Sequence, residues 1–391
     1  MVELILFAFI ASLCYAFAIG MEMLHNRKER KKTEMGNSID YVFSYIDYTQ
    51  EEVRKLYKDV TGEDFTGYAN RTYIDAGLLV RLIRKNMPFV RNVYVICKDV
   101  QKLPDSLENV ILESNGRVVR VNESEILPMW FHTFSSACIE MFIWRIKGLA
   151  DRFIYGNDDM IPLKPMKESD FFINGKPTIF ATKKAVEVNN LYNLHIMNAT
   201  NVIFDRHKNN DDYKVCCNVA HTFRPLTMEI CEKCFNEYRR WIMQSLTTVR
   251  YYNNFNADIF VMYGLKNNLI INNRLSYQFY FTSLSDKLYV LNKFQNDVTN
   301  GRFQSIPTVA CFNDNIKTQN GVNYAKEKIS YIMEKMLLYT PECYYIPDSG
   351  STMVSCSCTT SDTTCTLECK CASGTTVCSG CTFEVNQTLD K

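Results

Sequence analysis

Arg152-Phe153-Ile154-Tyr155-Gly156-Asn157-Asp158-Asp159-Met160 is the stretch that decides the fold. Three of its first four residues are β-branched or aromatic, which predicts a short buried strand. A glycine, an amide and two adjacent carboxylates follow without a break. Similar apolar runs stand at 39–46 (IDYVFSYI), 93–97 (VYVIC), 118–121 (VVRV) and 178–181. Segments of helical period separate them, at 49–60, 75–85 and 135–147. This alternation predicts an α/β fold, a mostly parallel Rossmann-like sheet covered by helices. Beyond about residue 225 the pattern turns helical, at 227–245, 257–266 and 324–339. The expected architecture is therefore a parallel sheet with a helical C-terminal half.

Open α/β sheets gather ligands at the carboxyl ends of their strands. The first strand runs out at Asp47, and the RFIY strand at Asn157, Asp158 and Asp159. Two carboxylates beside an amide suit a divalent cation, because Mg²⁺ takes one or two carboxylates and completes its octahedron with phosphate and water. The same spacing also reads as an Asn-Asp turn that satisfies its own backbone. His221, one of five histidines, lies in NVAHTFRP and reads more readily as a structural imidazole than as a proton acceptor. Glu140 interrupts the apolar run SSACIEMFIW, so it faces solvent or is paired at a site. Arg71 and Arg250 read as surface arginines unless a site recruits them.

Composition narrows the function classes. The 391 residues carry 44 Lys+Arg against 43 Asp+Glu, a net charge of +1, without the basic excess of a nucleic-acid binder. An aromatic content of 13% excludes disorder over most of the length. The 16 cysteines are unevenly placed, with eight between Cys343 and Cys381 in a Ser/Thr/Gly-rich stretch lacking the aliphatic residues of a core. That stretch is expected to be a small disulfide-rich appendage, with zinc as the alternative. Cys216, Cys217, Cys231 and Cys234 are expected to form disulfides rather than a zinc site.

Leu4 to Gly20 is an uncharged run of 17 residues, followed by Arg27, Lys28, Arg30, Lys31 and Lys32. It reads as a membrane anchor or a signal segment. The basic flank favours a cytoplasmic body. The cysteines, with sequons at Asn70, Asn122, Asn198 and Asn386, favour an oxidising, Golgi-like lumen, which is the expectation adopted. The organisation is then an anchor or signal segment (1–24), a basic linker (25–37), a catalytic domain (38–340) and a cysteine-rich module (341–391).

Several segments together resemble the Stealth family, which includes bacterial capsule hexose-1-phosphate transferases. Ile39-Asp40-Tyr41-Val42-Phe43-Ser44-Tyr45-Ile46-Asp47-Tyr48 is similar to its opening I-D-x-V-Y-T-W-V-D-G, with the final glycine replaced by Tyr48. Met87-Pro88-Phe89-Val90-Arg91-Asn92-Val93-Tyr94-Val95-Ile96 resembles A-P-W-I-R-N-I-Y-I-V. The most specific block runs from Thr133-Phe134-Ser135-Ser136-Ala137-Cys138-Ile139-Glu140 to Phe153-Ile154-Tyr155-Gly156-Asn157-Asp158-Asp159-Met160, against P-T-F-N-S-x-A-I-E and F-I-Y-F-N-D-D-M. Ala220-His221-Thr222-Phe223-Arg224-Pro225 resembles the H-x-P-x-P segment, and Arg250 with Asn254 and Asp258 stands about thirty residues on. Of an R-D-N-D-E run, Arg71 and an acid at Asp75 remain.

The resemblance covers roughly 38–270 and implies a sheet of the nucleotide-sugar transferase type. It implies transfer of a sugar-1-phosphate from a UDP-sugar to a glycan or glycoprotein hydroxyl, releasing UMP. Implied catalytic residues are Glu140, Asp159, His221 and Arg250. Asp158 and Asp159 would hold Mg²⁺ or Mn²⁺, and Asp47, Arg71, Asp75, Ser136 and Asn157 would bind substrate. A metal-dependent glycosyltransferase breaking the sugar C1–O bond and a non-catalytic cysteine-rich adaptor are the competing readings.

Overall fold

A computed structural model describes residues 38–65, 74–185, 190–206, 215–284, 287–313, 316 and 318–339, together with the backbone of short strands between 344 and 370. These residues fall into two compact units divided between Leu337 and Leu338.

The first unit opens with β1 (Ile39–Ser44), α1 (Glu51–Thr61), α2 (Ala76–Asn86), β2 (Val90–Cys97), α3 (Asp105–Glu113), β3 (Val118–Asn122), α4 (Glu123–Ile126) and α5 (Ser136–Glu140). It continues with β4 (Arg152–Tyr155), β5 (Met160–Pro162), β6 (Phe172–Ile173), β7 (Lys176–Ile179), β8 (Ala181–Ala185), α6 (Leu191–Ile203), β9 (Val215–Val219) and β10 (Arg224–Thr227). The remainder is α7 (Met228–Glu237), α8 (Arg239–Ser245), α9 (Asp258–Lys266), β11 (Ile271–Asn272), β12 (Phe279–Ser283), α10 (Tyr289–Thr299), β13 (Val309–Asn313) and α11 (Gln319–Leu338).

The main sheet has the order β10-β4-β1-β2-β3. β1 pairs in parallel with both β2 and β4, β2 with β3, and only β10 runs antiparallel. The five core residues Ile39–Phe43 are all buried, as expected of a central strand covered on both faces. The chain steps from β1 out to β2 and β3, then returns to place β4 on the other side of β1. That reversal makes the carboxyl ends of β1 and β4 the topological switch point, where ligands gather.

At the opposite, amino end of these strands, Asp40 is fully buried and accepts from Arg91 Nε (3.0 Å), Arg91 Nη2 (2.6 Å), Asn92 N (3.0 Å) and Ala150 N (2.7 Å). Four donors compensate the buried charge. The acid of the opening motif is thus a structural clamp that ties β1 to β2 and to the approach to β4.

Three expectations need correction. The helix expected over 135–147 is only α5 followed by a 3₁₀ turn, Ile143–Arg145, because the apolar run packs into the core instead of spanning a helix face. The C-terminal half is not purely helical: β12 and β13 pair in parallel and β13 pairs antiparallel with β5, forming a second sheet. Phe279–Ser283 and Val309–Asn313 lack the alternation that would have marked them as strands. Cys97, Cys138, Cys216, Cys217, Cys231, Cys234 and Cys311 are free thiols, so the body disulfides do not form. Six of the seven are buried and pack as small apolar side chains.

The second unit shows a hairpin of Val354–Ser361 with Thr364–Lys370, flanked by Tyr344–Tyr345. The disulfide knot expected there falls on side chains outside the described residues. The 4–20 segment, Asn70 and Asn386 also lie outside them. No helix among the described residues is long and apolar enough to cross a membrane. Asn198, one of the sequons, spends its amide donors on the Tyr252 and Asn254 carbonyls at 2.7 and 3.3 Å.

Candidate active site

The strand ends build the site. Beyond β4 the chain makes a tight turn, with Met160 N donating to Asn157 O at 3.1 Å. Gly156 is needed just before it, since a Cβ would run into the Tyr41 hydroxyl and the Phe223 ring. The turn sends Met160 into β5, and Phe312 N of β13 donates to the Asp159 carbonyl at 3.0 Å. Asp159 is therefore held between the two sheets. Burial, then the neighbouring Asp158, pushes its carboxyl up to about 7, and the Cys311 thiol partly offsets this by hydrogen bonding. Its Oδ1 is buried and has no partner. Two adjacent acids, one with an unpartnered oxygen in a confined space, are able to hold a cation.

His221 comes from the segment leading into β10. Because β10 runs antiparallel, with Arg224 opposite Tyr155, its beginning lies at the carboxyl end of β4. Ligand atoms of His221, Asp159 and Cys311 all lie within 4.8 Å of one another. His221 Nδ1 meets the Tyr192 hydroxyl at 3.2 Å, Nε2 is buried without a partner, and the ring sits edge-on between Tyr192 and Phe281. Burial, then the Arg224 charge, pushes the imidazole down to about 3. The ordinary value near 6.5 on which a base role was expected is thus not the value of the unliganded site. At neutral pH this histidine is uncharged.

Arg224 is 3% exposed; its Nε donates to Asp258 Oδ1 at 2.5 Å and its Nη1 to the Thr222 carbonyl at 3.0 Å. Asn256 Nδ2 donates to the other Asp258 oxygen at 3.0 Å. Burial pulls the guanidinium pKa down, but the facing Asp258 carboxylate more than reverses this, so Arg224 stays charged. It is the fixed cation of the site.

Glu140 is buried, not on an exposed helix face. Its Oε2 accepts from Ala257 N at 2.6 Å and its Oε1 from the Tyr155 hydroxyl at 3.1 Å. These bonds join α5, the end of β4 and the start of α9. Both carboxylate oxygens are thus occupied, and the group orienting His221 is Tyr192. Glu140 is a positioning residue here. Arg250 Nη2 donates to Ser136 Oγ at 2.5 Å, so two expected residues do meet. Arg250 is exposed and its charge is felt by both Glu140 and His221.

Across the switch point, Asp47 and Asp75 line one pocket of 270 Å³ together with Tyr45, Thr49 and Lys326. Asp75 also caps α2, its Oδ1 accepting from Leu78 N at 2.8 Å. Asp47 is held by Thr49 and by Gln50 Nε2. Burial, then Asp47, then Asp158 drive the Tyr45 phenol upward, which links this pocket electrostatically to the metal corner. Arg71 lies outside the described residues. Arg224, Tyr192 and Cys311 carried no separate expectation. Arg224 did leave a trace, since an arginine within an apolar strand demands a buried partner.

Residues 73–179 match Stealth protein CR2, conserved region 2. That stretch carries the second conserved region of the Stealth family. The chain is 29% identical over 160 residues to a capsular polysaccharide phosphotransferase of Neisseria meningitidis serogroup B, covering 38% of this chain and 42% of that protein. It is 24% identical over 303 residues to capsular polysaccharide phosphotransferase fcs1 of Haemophilus influenzae, covering 72% and 79%. With capsular polysaccharide phosphotransferase eps5J of Streptococcus thermophilus it shares 32% over 152 residues, covering 39% and 59%. It therefore spans about two fifths of the first relative and three fifths of the third. Among solved structures, galactosyltransferase LgtC with donor and acceptor sugar analogs superposes at a TM-score of 0.39, with 11% identity over 78% of this chain and 98% of that one, too remote to argue from.

Proposed function

We propose that this chain transfers a sugar-1-phosphate from a UDP-sugar to a glycan hydroxyl, leaving a phosphodiester and releasing UMP. The observation that carries the reading is the meeting, at one switch point, of two adjacent carboxylates, an uncharged histidine with a free Nε2 and a permanently charged arginine. Capsular relatives named as phosphotransferases support it.

Phosphoryl transfer asks an enzyme mainly to position groups and neutralise charge. The nucleoside side of the donor enters the Asp47–Asp75 pocket, where carboxylates can accept from ribose hydroxyls. Arg250, beside Ser136, donates to non-bridging phosphate oxygens. The acceptor oxygen attacks the phosphorus that bears the sugar, the bridging P–O bond breaks, and its electron pair leaves on UMP. The acceptor proton passes to His221 Nε2, and Tyr192 holds the ring from Nδ1. Phosphate charges brought beside Arg224 and Arg250 offset the cations that depress this imidazole, so its basicity rises as the donor binds. Bound at Asp158 and Asp159, Mg²⁺ or Mn²⁺ supplies charge neutralisation that makes the leaving phosphate less basic.

Incubation with UDP-N-acetylglucosamine, Mn²⁺ and a glycan acceptor tests the reading. UMP release with a phosphodiester signal in ³¹P NMR of the product is the expected result. Release of UDP would assign C1–O cleavage instead, and release of neither nucleotide from any common UDP-sugar would sink the enzymatic reading.

A further inference from the structure

A groove of 510 Å³ that the proposed chemistry does not use lies between α6, α8 and the loop from 246 to 257. Trp241 of α8 and Tyr252 of the loop line it, each 55% exposed. Its polar lining is mostly amides, with Ser245 and one charge of each sign, Asp205 and Arg206. Asn201 of α6 lines it with both side-chain atoms, Oδ1 and Nδ2, buried and without a partner. Asn253 adds a buried, unpartnered Oδ1, and Gln244 lies alongside. Buried polar atoms are nearly always satisfied, so an amide left bare at the wall of a cavity points to an occupant that supplies both a donor and an acceptor.

Only certain chemistry answers that pattern. A hydroxyl offers a donor and an acceptor at once, and Asn201 presents the complement of a pair of neighbouring hydroxyls. The C–H faces of a pyranose ring are apolar and lie flat on indole and phenol rings. The groove's two charged residues are adjacent and of opposite sign: Asp205, which accepts from Lys266 Nζ at 3.3 Å, and Arg206. With the Asp205 and Arg206 charges cancelling, a lining of amides and aromatic faces fits a neutral carbohydrate better than a phosphate or an acidic peptide.

Its placement ties the groove to the reaction. Tyr192, which holds His221, and Asn201 stand on the same helix α6, nine residues apart, a span of about 13 Å at 1.5 Å per residue. The loop that offers Tyr252 to the groove also presents Arg250 to Ser136. Asn254 locks that loop: its Nδ2 donates to Ser245 O and Thr247 Oγ1, and its Oδ1 accepts from Tyr251 N. We infer that the groove of Trp241, Tyr252, Asn201 and Asn253 binds the acceptor glycan one or more sugar units away from the hydroxyl that reacts. The assignment to the acceptor rests on the proposed transfer; the carbohydrate site itself does not.

Binding is measured on the full chain without donor, which separates the two. A panel of neutral tetrasaccharides built from glucose, galactose, mannose or N-acetylglucosamine is titrated while the heat of binding is read by calorimetry. Saturable change with at least one tetrasaccharide is expected. Trp241→Ala should weaken binding at least tenfold, Trp241→Tyr should recover most of it, and Asn201→Leu should weaken it at least fivefold. In transfer assays the Trp241→Ala loss should fall on the KM for glycan and not on kcat. No response to any tetrasaccharide at millimolar concentration, or binding indifferent to Trp241→Ala in a protein with an unchanged melting curve, would overturn the site. Binding without any UMP release would leave the site standing and remove the transfer reading.

Discussion

Replacing Arg224 with Met tests whether the fixed cation is truly desolvated. Arg224 and Asp258 are 3% and 0% exposed, and their direct bond is supplemented on each side by a single neutral partner, Thr222 O and Asn256 Nδ2. Removing the guanidinium leaves Asp258 buried with one amide for company. Breaking such a pair from one side costs about 3–5 kcal/mol, against about 0–1 kcal/mol for an exposed pair. Asp258→Leu alone should cost a similar amount, because it strands the arginine. The double replacement removes both charges and should be no worse than either single variant, so the two losses are strongly non-additive. Urea denaturation at pH 7 supplies all four free energies, with slopes checked for constancy. A single-variant loss below about 1 kcal/mol, or losses that simply add, would refute the desolvated pair.

His221, held neutral in the fold with a depressed value of about 3, binds a proton more readily once unfolded, so it contributes instability as pH falls below about 6.5. From pH 7 to pH 5 the native chain should lose about 2 kcal/mol more than His221→Gln, read from paired urea curves, and parallel losses would contradict the buried neutral ring. As the proton acceptor, His221→Ala should also lower turnover by about 10²–10⁴-fold in the UMP assay, and unchanged turnover removes it from that role. Glu140→Ala leaves Ala257 N–H and the Tyr155 hydroxyl without their acceptor, and an unfolding free energy lower by about 2–5 kcal/mol is expected. Asp159→Asn should weaken Mn²⁺ binding at least tenfold by electron paramagnetic resonance titration; equal affinity would place the ion elsewhere.

Much of the frame was readable because parallel strands are buried on both faces and so print as apolar runs: β1 to β4 lie where IDYVFSYI, VYVIC, VVRV and RFIY predict them, β1 ending two residues early at Ser44 and β2 starting three early at Val90. The carboxylate corner was readable too, since its residues are adjacent in the chain. What stayed hidden depends on pairing across distance. Nothing local in Tyr192 or Cys311 says that either faces His221 and Asp159. Glu140 was legible as a buried acid or an exposed one, but its partners, a backbone N–H from α9 and a hydroxyl from β4, arrive only with the tertiary fold. The body cysteines misled because their spacing resembles crosslinks, while their burial makes them core filler.

The reversed edge strand has a consequence for how the site is born during folding. The acids of the corner are neighbours on one turn, but the imidazole and guanidinium arrive with β10, whose Arg224 pairs opposite Tyr155 from 69 residues further along the chain. Closing so long an excursion is slow and entropically costly compared with forming the local turn. The β1–β4 sheet can therefore assemble with its carboxylates in place while still inert. Competence would arrive only when the last strand docks, so a ribosome-bound or truncated chain ending before about residue 220 would hold negative charge at the switch point with nothing to balance it.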